Sequence, residues 1–203
     1  ALNNVTCSAS AESETKYITA VPIDLKKLGV LSIKLDNVVL CDTPGFEDTG
    51  GPEVDVANGI GIIKALQMCK SVKPVVLLSY TALGNKMCYV RELARTLVRI
   101  IPSIQDHLSA FAYVFTKFPD NQKQSIHALV EDTYNNIQKE EKDEGYKALL
   151  ENIADQTEKN VLAPDLLNDS RQELLKKLAN PRNFIEDPSE VFQPFLTEKS
   201  TSA

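Results

Sequence analysis

The chain has 203 residues, 43% of them apolar and 25% charged, an ordinary globular composition with enough length to bury one core. Its 22 basic and 28 acidic residues leave a net charge of −6 with no long run of like charges, so nucleic acid is not an expected partner. No stretch approaches the roughly 18 apolar residues that a membrane span needs, and no basic region with an apolar core marks a secretory signal. A cytoplasmic protein with no transmembrane segment is expected. Cys7, Cys41, Cys69 and Cys88 show no C-x-x-C spacing, and Cys41 and Cys69 fall in apolar segments where a thiol acts as a small hydrophobe.

From Tyr17 to Leu25 apolar and polar residues alternate, a turn follows at Lys26-Lys27-Leu28-Gly29, and Val30 to Asp42 reads as strand ending in the apolar run Val38 to Cys41. A hairpin leading into a buried strand is predicted. Past the loop from Thr43 to Pro52, apolar residues recur at helical spacing up to Cys69. Pro74 to Ser79 is a short apolar strand, and a long helical pattern runs from Leu93 to Leu108 with a kink or restart expected at Pro102. Phe111 to Thr116 is a further apolar strand. A polar helix is predicted over 124–154, another near 170–178, and 181–203 reads as a linker or tail with three prolines and little periodicity. Continuous apolar strands alternating with helices predict an α/β fold, a parallel sheet covered on both faces.

The sharpest chemical signal is Asp42-Thr43-Pro44-Gly45, directly after the apolar run 38–41. In an open parallel sheet ligands bind beyond the carboxyl ends of the strands, so an Asp placed there can hold the water shell of Mg²⁺. A neighbouring Gly, with no Cβ, lets a backbone N–H approach a phosphate. A second polar string, Thr116-Lys117-Phe118-Pro119-Asp120, closes the strand that begins at Phe111.

Asp42-Thr43-Pro44-Gly45-Phe46 resembles the switch II segment of P-loop GTPases, and within them the branch holding septins and immunity-associated GTPases. Thr116-Lys117 with Asp120 resembles the base-recognition segment, in which the Lys stem lies along guanine and the acid accepts from the base. Ser13-Glu14-Thr15-Lys16 resembles switch I, whose Thr meets Mg²⁺; Thr6 and Thr19 are rivals. The resemblance implies a G-domain architecture binding GTP or GDP with Mg²⁺. Nucleotide contacts are then expected at Asp42, Thr43, Gly45, Thr116, Lys117 and Asp120, and metal contacts at Thr15 and, through water, Asp42.

Three departures qualify that expectation. The family's acid stands two residues after the Lys, where this chain has Pro119 and then Asp120. Phe46 occupies the place where Ras-like enzymes keep a water-orienting Gln, and a phenyl ring cannot orient a water; slow hydrolysis helped by a homodimer or a protein effector is implied. The phosphate loop G-x-x-x-x-G-K-[ST] does not occur, since Gly84-Asn85-Lys86 lacks the first Gly. An N-terminally truncated G domain over 1–180, lacking its first strand and P-loop, is therefore expected, with GTP binding and slow Mg²⁺-dependent GTP hydrolysis belonging to a full-length parent. The alternative is a nucleotide-free pseudo-GTPase serving as a protein-interaction module. Val161 to Pro164 is a candidate for the last guanine-contact loop, and His127 and the Arg91, Arg95, Arg99 stripe read as structural.

Overall fold

The computed structural model of the chain describes residues 18–27, 29, 37–43, 52–83, 88–137, 142–165, 169, 171–180 and 183–194. Within them the chain is a mixed α/β protein whose strands form one parallel and two antiparallel pairs.

The predicted hairpin is present as β1 (Thr19–Asp24) and β2 (Asn37–Asp42), antiparallel, with Thr19 opposite Asp42 and Asp24 opposite Asn37. Its turn starts where Asp24 Oδ1 accepts the Lys27 N–H at 3.1 Å. Gly29 then turns the chain with φ of +73°, a conformation that costs glycine nothing. Leu25 is fully buried and packs with Ala179 and the half-buried Ile23 and Val38. The buried strand expected at 38–41 is not found: Val39 and Leu40 are 54% and 39% exposed, and Cys41 is exposed. Among the described residues β2 pairs with β1 alone, so no second strand covers its other edge. Cys69 is exposed as well, its thiol donating to the Ala65 carbonyl at 3.3 Å, so neither thiol serves as a core hydrophobe.

Helix α1 (Pro52–Gln67) follows, then β3 (Ser71–Val72) and β4 (Val75–Ser79), then the single turn α2 (Tyr80–Leu83) and helix α3 (Cys88–Ile100). The restart at Pro102 is observed: α3 stops at Ile100 and α4 (Ile104–His107) begins after the break, because the residue before a proline is driven out of the helical region. β5 (Ala112–Thr116) runs parallel to β4 in the register Val76 with Tyr113 and Leu78 with Phe115. Those four side chains face the main core, where Ile101, Ile104, Ile126, Val130, Tyr146 and Leu149 are also buried.

The single helix expected over 124–154 is two. α5 (Ile126–Ile137) and α6 (Glu144–Lys159) are separate because Asp143 starts a new helix, its carboxylate accepting the Tyr146 N–H at 3.0 Å. Gly145 sits close under α3, where an added Cβ would lie 3.1 Å from Val98 Cγ1. α7 (Arg171–Leu178) agrees with the periodicity.

Part of the stretch read as a tail folds onto this body. β6 (Ile185–Glu186) pairs antiparallel with β3, α8 (Pro188–Val191) follows, and Ile185 and Phe192 enter the main core. Gln67 Nε2 donates to the Phe192 carbonyl at 2.8 Å and the Gln193 N–H to the Ile100 carbonyl at 2.9 Å, so 183–194 is bound to both α1 and α3.

Candidate functional site

The parallel pair sets the geometry. Ser79 and Thr116 are register partners, so β4 and β5 end level and their following loops leave from the same rim. Ser79 Oγ lies 3.0 Å from Thr81 Oγ1 in the turn that begins α2. Beyond Thr116 the chain takes an unusual step: exposed Lys117 has φ of 59°, in the left-handed region that a non-glycine residue enters at a cost of about 1–2 kcal/mol.

The next residue explains how that step is held. Phe118 is buried, its ring meeting Tyr80 edge-on at 5.2 Å and Phe115 edge-on at 6.0 Å. An aromatic anchor in the core with its lysine neighbour turned to solvent fixes the loop on a rigid scaffold. Pro119 then leads into a 3₁₀ turn over Asp120–Ser125, closed by the Gln122 N–H on the Pro119 carbonyl at 2.9 Å.

Asp120 is exposed at the start of this turn and pairs with Lys123, Nζ to Oδ1 2.9 Å. Its carboxylate raises the Lys123 ammonium above the ordinary lysine value, with Asp165 and Asp169 adding to the effect. Lys123 was not among the residues the sequence singled out; its i,i+3 spacing from Asp120 was the signal available for it.

On the other side of β5, the Phe115 N–H donates to the Leu162 carbonyl at 2.8 Å. The segment 161–165, which leaves α6, therefore runs beside the strand that ends at Thr116, just before Lys117. Tyr113 binds the same helix from within: its hydroxyl donates to Asn152 Oδ1 at 3.0 Å, and burial pushes its pKa far up.

Asp42 and Thr43 stand at the end of β2, Asp42 exposed and Thr43 half-buried. Thr15 and Gly45 lie outside the described residues. Thr19, a rival to Thr15, is directly across the hairpin from Asp42. Among the described residues no three His, Cys, Asp or Glu side chains form a metal-binding group. A single carboxylate still fits Mg²⁺, which keeps most of its waters and takes further oxygens from a bound phosphate. His127 accepts its structural role, Nδ1 lying 3.1 Å from Thr157 Oγ1 across α5 and α6. Arg95 and Arg99 are exposed on α3, and Arg91 is half-buried.

Compared with protein-family models, with curated proteins and with solved structures, the chain matches none of them. Among the described residues no helix is long and apolar enough to cross a membrane.

Proposed function

We propose that the chain is the switch- and base-bearing part of a guanine-nucleotide-binding domain with slow Mg²⁺-dependent GTP hydrolysis, its β- and γ-phosphates needing a phosphate loop that these 203 residues do not contain. The observation that carries this reading is Lys117: exposed, left-handed, at the carboxyl end of a parallel strand, and fixed by Phe118 behind it. Backbone strain kept by a well-packed scaffold is a mark of ligand-contacting loops, and the rim beyond parallel strands is where α/β sheets bind ligands.

In this reading the Lys117 stem lies along the base, Asp120 accepts from its N–H edge, and the segment Val161 to Pro164 beside β5 closes the far side. Asp42 would hold Mg²⁺ through water, with Thr43 and Gly45 beside the phosphates. Thr15, or Thr19 across from Asp42, would give the metal a hydroxyl. Bound Mg²⁺ would supply charge neutralisation at the transferring phosphoryl group. Pro119 moves the acid one place along, to Asp120, the first residue of the 3₁₀ turn. Equilibrium binding of a fluorescent GTP analogue to the chain with a phosphate loop supplied, measured with Mg²⁺ and with excess EDTA for the form carrying Asp42 and for Asp42→Ala, tests the metal assignment. Tightening by Mg²⁺ that Asp42→Ala loses is expected; equal Mg²⁺ dependence in both proteins would remove Asp42 from the site.

A second reading, a protein-interaction module, has its own observation. Leu77 and Tyr89 are 64% and 63% exposed on an open apolar groove completed by Leu78, Val90 and Leu93, and among the described residues β4 pairs with β5 alone. An uncovered strand edge beside apolar surface is a surface on which a further strand or a partner docks. Loss of nucleotide binding together with retained folding would move the assignment to this reading.

A further inference from the structure

Helix α1 carries two apolar faces, and the body of the protein covers one of them. Its inner residues Gly59, Ile62 and Ile63 are buried. The outward row, recurring every three or four residues, is Val54, Ala57, Ile60, Gly61, Lys64 and Met68, all exposed. Met68 belongs to the row because its N–H donates to the Lys64 carbonyl at 3.2 Å, which continues the helical pattern just past Gln67. A helix that faces water alone carries charge on that side, as α3 does with exposed Arg95 and Arg99. α1 instead exposes Val54 at 41%, Ile60 at 43% and Met68 at 87%. Gly61 lies at the middle of the row, and a Cβ added to it would meet nothing within 4 Å, so a second backbone has room to approach closely there.

The row reads alike in both directions. Val54 and Met68 each stand seven residues from Gly61, about 10 Å along the axis. Two copies laid antiparallel about a twofold axis at Gly61 bring Val54 of each against Met68 of the other, with the two glycines at the crossing. The ends complement one another in charge: exposed Glu53 lies at one end of the row and exposed Lys70 just past the other, so each carboxylate falls beside the second copy's ammonium. A parallel pairing would set acid against acid and base against base. Lys64, the one charge inside the row, has a stem long enough to lie along the apolar surface with its ammonium at the rim.

We propose that the outward face of α1 is a homodimer contact, on which a second copy of this chain docks antiparallel across Gly61. It uses none of the rim residues and needs no nucleotide. A single helix pair falls well short of the roughly 1,600 Å² of a standard interface, so the dimer is weak and depends on concentration.

The test is sedimentation equilibrium of the 203-residue chain from micromolar to millimolar protein, with a reductant present so that exposed Cys41 and Cys69 form no cross-link, and with circular dichroism confirming the fold of every variant. Wild type should dimerise. Gly61→Leu enters open space in the monomer but blocks the crossing, and is expected to weaken association about tenfold or more. Met68→Glu changes a side chain already in water and should weaken it to a similar degree. Glu53→Lys and Lys70→Glu should each weaken it about two- to fivefold at low salt, and the two together should restore it. Wild type that stays monomeric at millimolar protein overturns the proposal and leaves the face to a different partner. A dimer that Gly61→Leu or Met68→Glu leaves intact overturns it too, by placing association elsewhere, and charge reversals that fail to restore one another overturn the antiparallel arrangement.

Discussion

The ring of Phe118 meets the ring of Tyr80 edge-on, with 5.2 Å between centroids and 75° between planes. That contact joins the loop after β5 to the first residue of the turn after β4, across the rim where Ser79 and Thr116 end level. Phe118→Ala removes it together with the contact to Phe115, leaving a cavity at the loop's anchor. A loss of about 3 kcal/mol is expected from a buried phenylalanine, read as a lower urea midpoint with unchanged slope. A loss under about 1 kcal/mol would show that the loop is held by other means.

Lys117 makes the opposite prediction. Lys117→Gly relieves the left-handed strain at φ 59°, and should leave stability unchanged or raise it by about 1 kcal/mol, the gain being partly offset by the freer unfolded chain. The same substitution removes the stem proposed to lie along the base, so nucleotide affinity should fall about tenfold or more. Thermal unfolding and nucleotide titration on one preparation separate the two effects. A variant destabilised by more than 1 kcal/mol would mean that the lysine side chain supports the fold.

Much of this scaffold was legible in the sequence. β4, β5, α1 and the break at Pro102 have strong local causes: short apolar runs, helical spacing, and a proline that interrupts a helix when it falls beyond the first turn. The separation of α5 from α6 was hidden because a polar helix surface and a polar loop have the same composition, and only Asp143 as a cap betrays the boundary. β3 and β6 have two residues each, too few for any period to appear. The role of 183–194 rests on single anchors, Ile185 and Phe192, which dock without a repeating pattern. At the site, the string from Thr116 to Asp120 was visible, but a left-handed lysine is set by the Phe118 anchor and by nothing in lysine itself. The exposure of β2 was also illegible, because an apolar run reads as buried whether or not a neighbouring strand is present to cover it.

Tyr113 binds β5 to α6 through its hydroxyl on Asn152 Oδ1. Tyr113→Phe keeps the ring and deletes the donor, while Asn152 Oδ1 still accepts from Gln156 Nε2 at 3.1 Å. The expected cost is therefore small for a buried hydrogen bond, about 1 kcal/mol, measured by chemical denaturation. A cost above about 2 kcal/mol would mean that the Gln156 bond does not compensate.

The hairpin should contribute an acid-sensitive increment. Asp24 has its pKa lowered, chiefly by the backbone N–H of Lys27 and further by the Lys27 ammonium. Because the folded value lies below the unfolded one, its contribution is present above about pH 4 and is lost as pH falls through the folded value. Wild type should melt above Asp24→Ala at pH 7, and the two melting temperatures should converge toward pH 2. A difference that persists unchanged at pH 2 would remove the carboxylate from the account.

The central claim is that the rim of Lys117 and Asp120 receives a guanine base. It is tested most directly by titrating a fluorescent GTP analogue into a form of the chain carrying a G-x-x-x-x-G-K-[ST] segment ahead of β1, with GTP and ATP as competitors, beside the 203-residue chain alone. The account predicts binding by the form with the phosphate loop, displacement by GTP, no displacement by excess ATP, and much weaker binding by the 203 residues alone. A folded protein that binds no analogue, or from which ATP displaces it as well as GTP does, would contradict the claim.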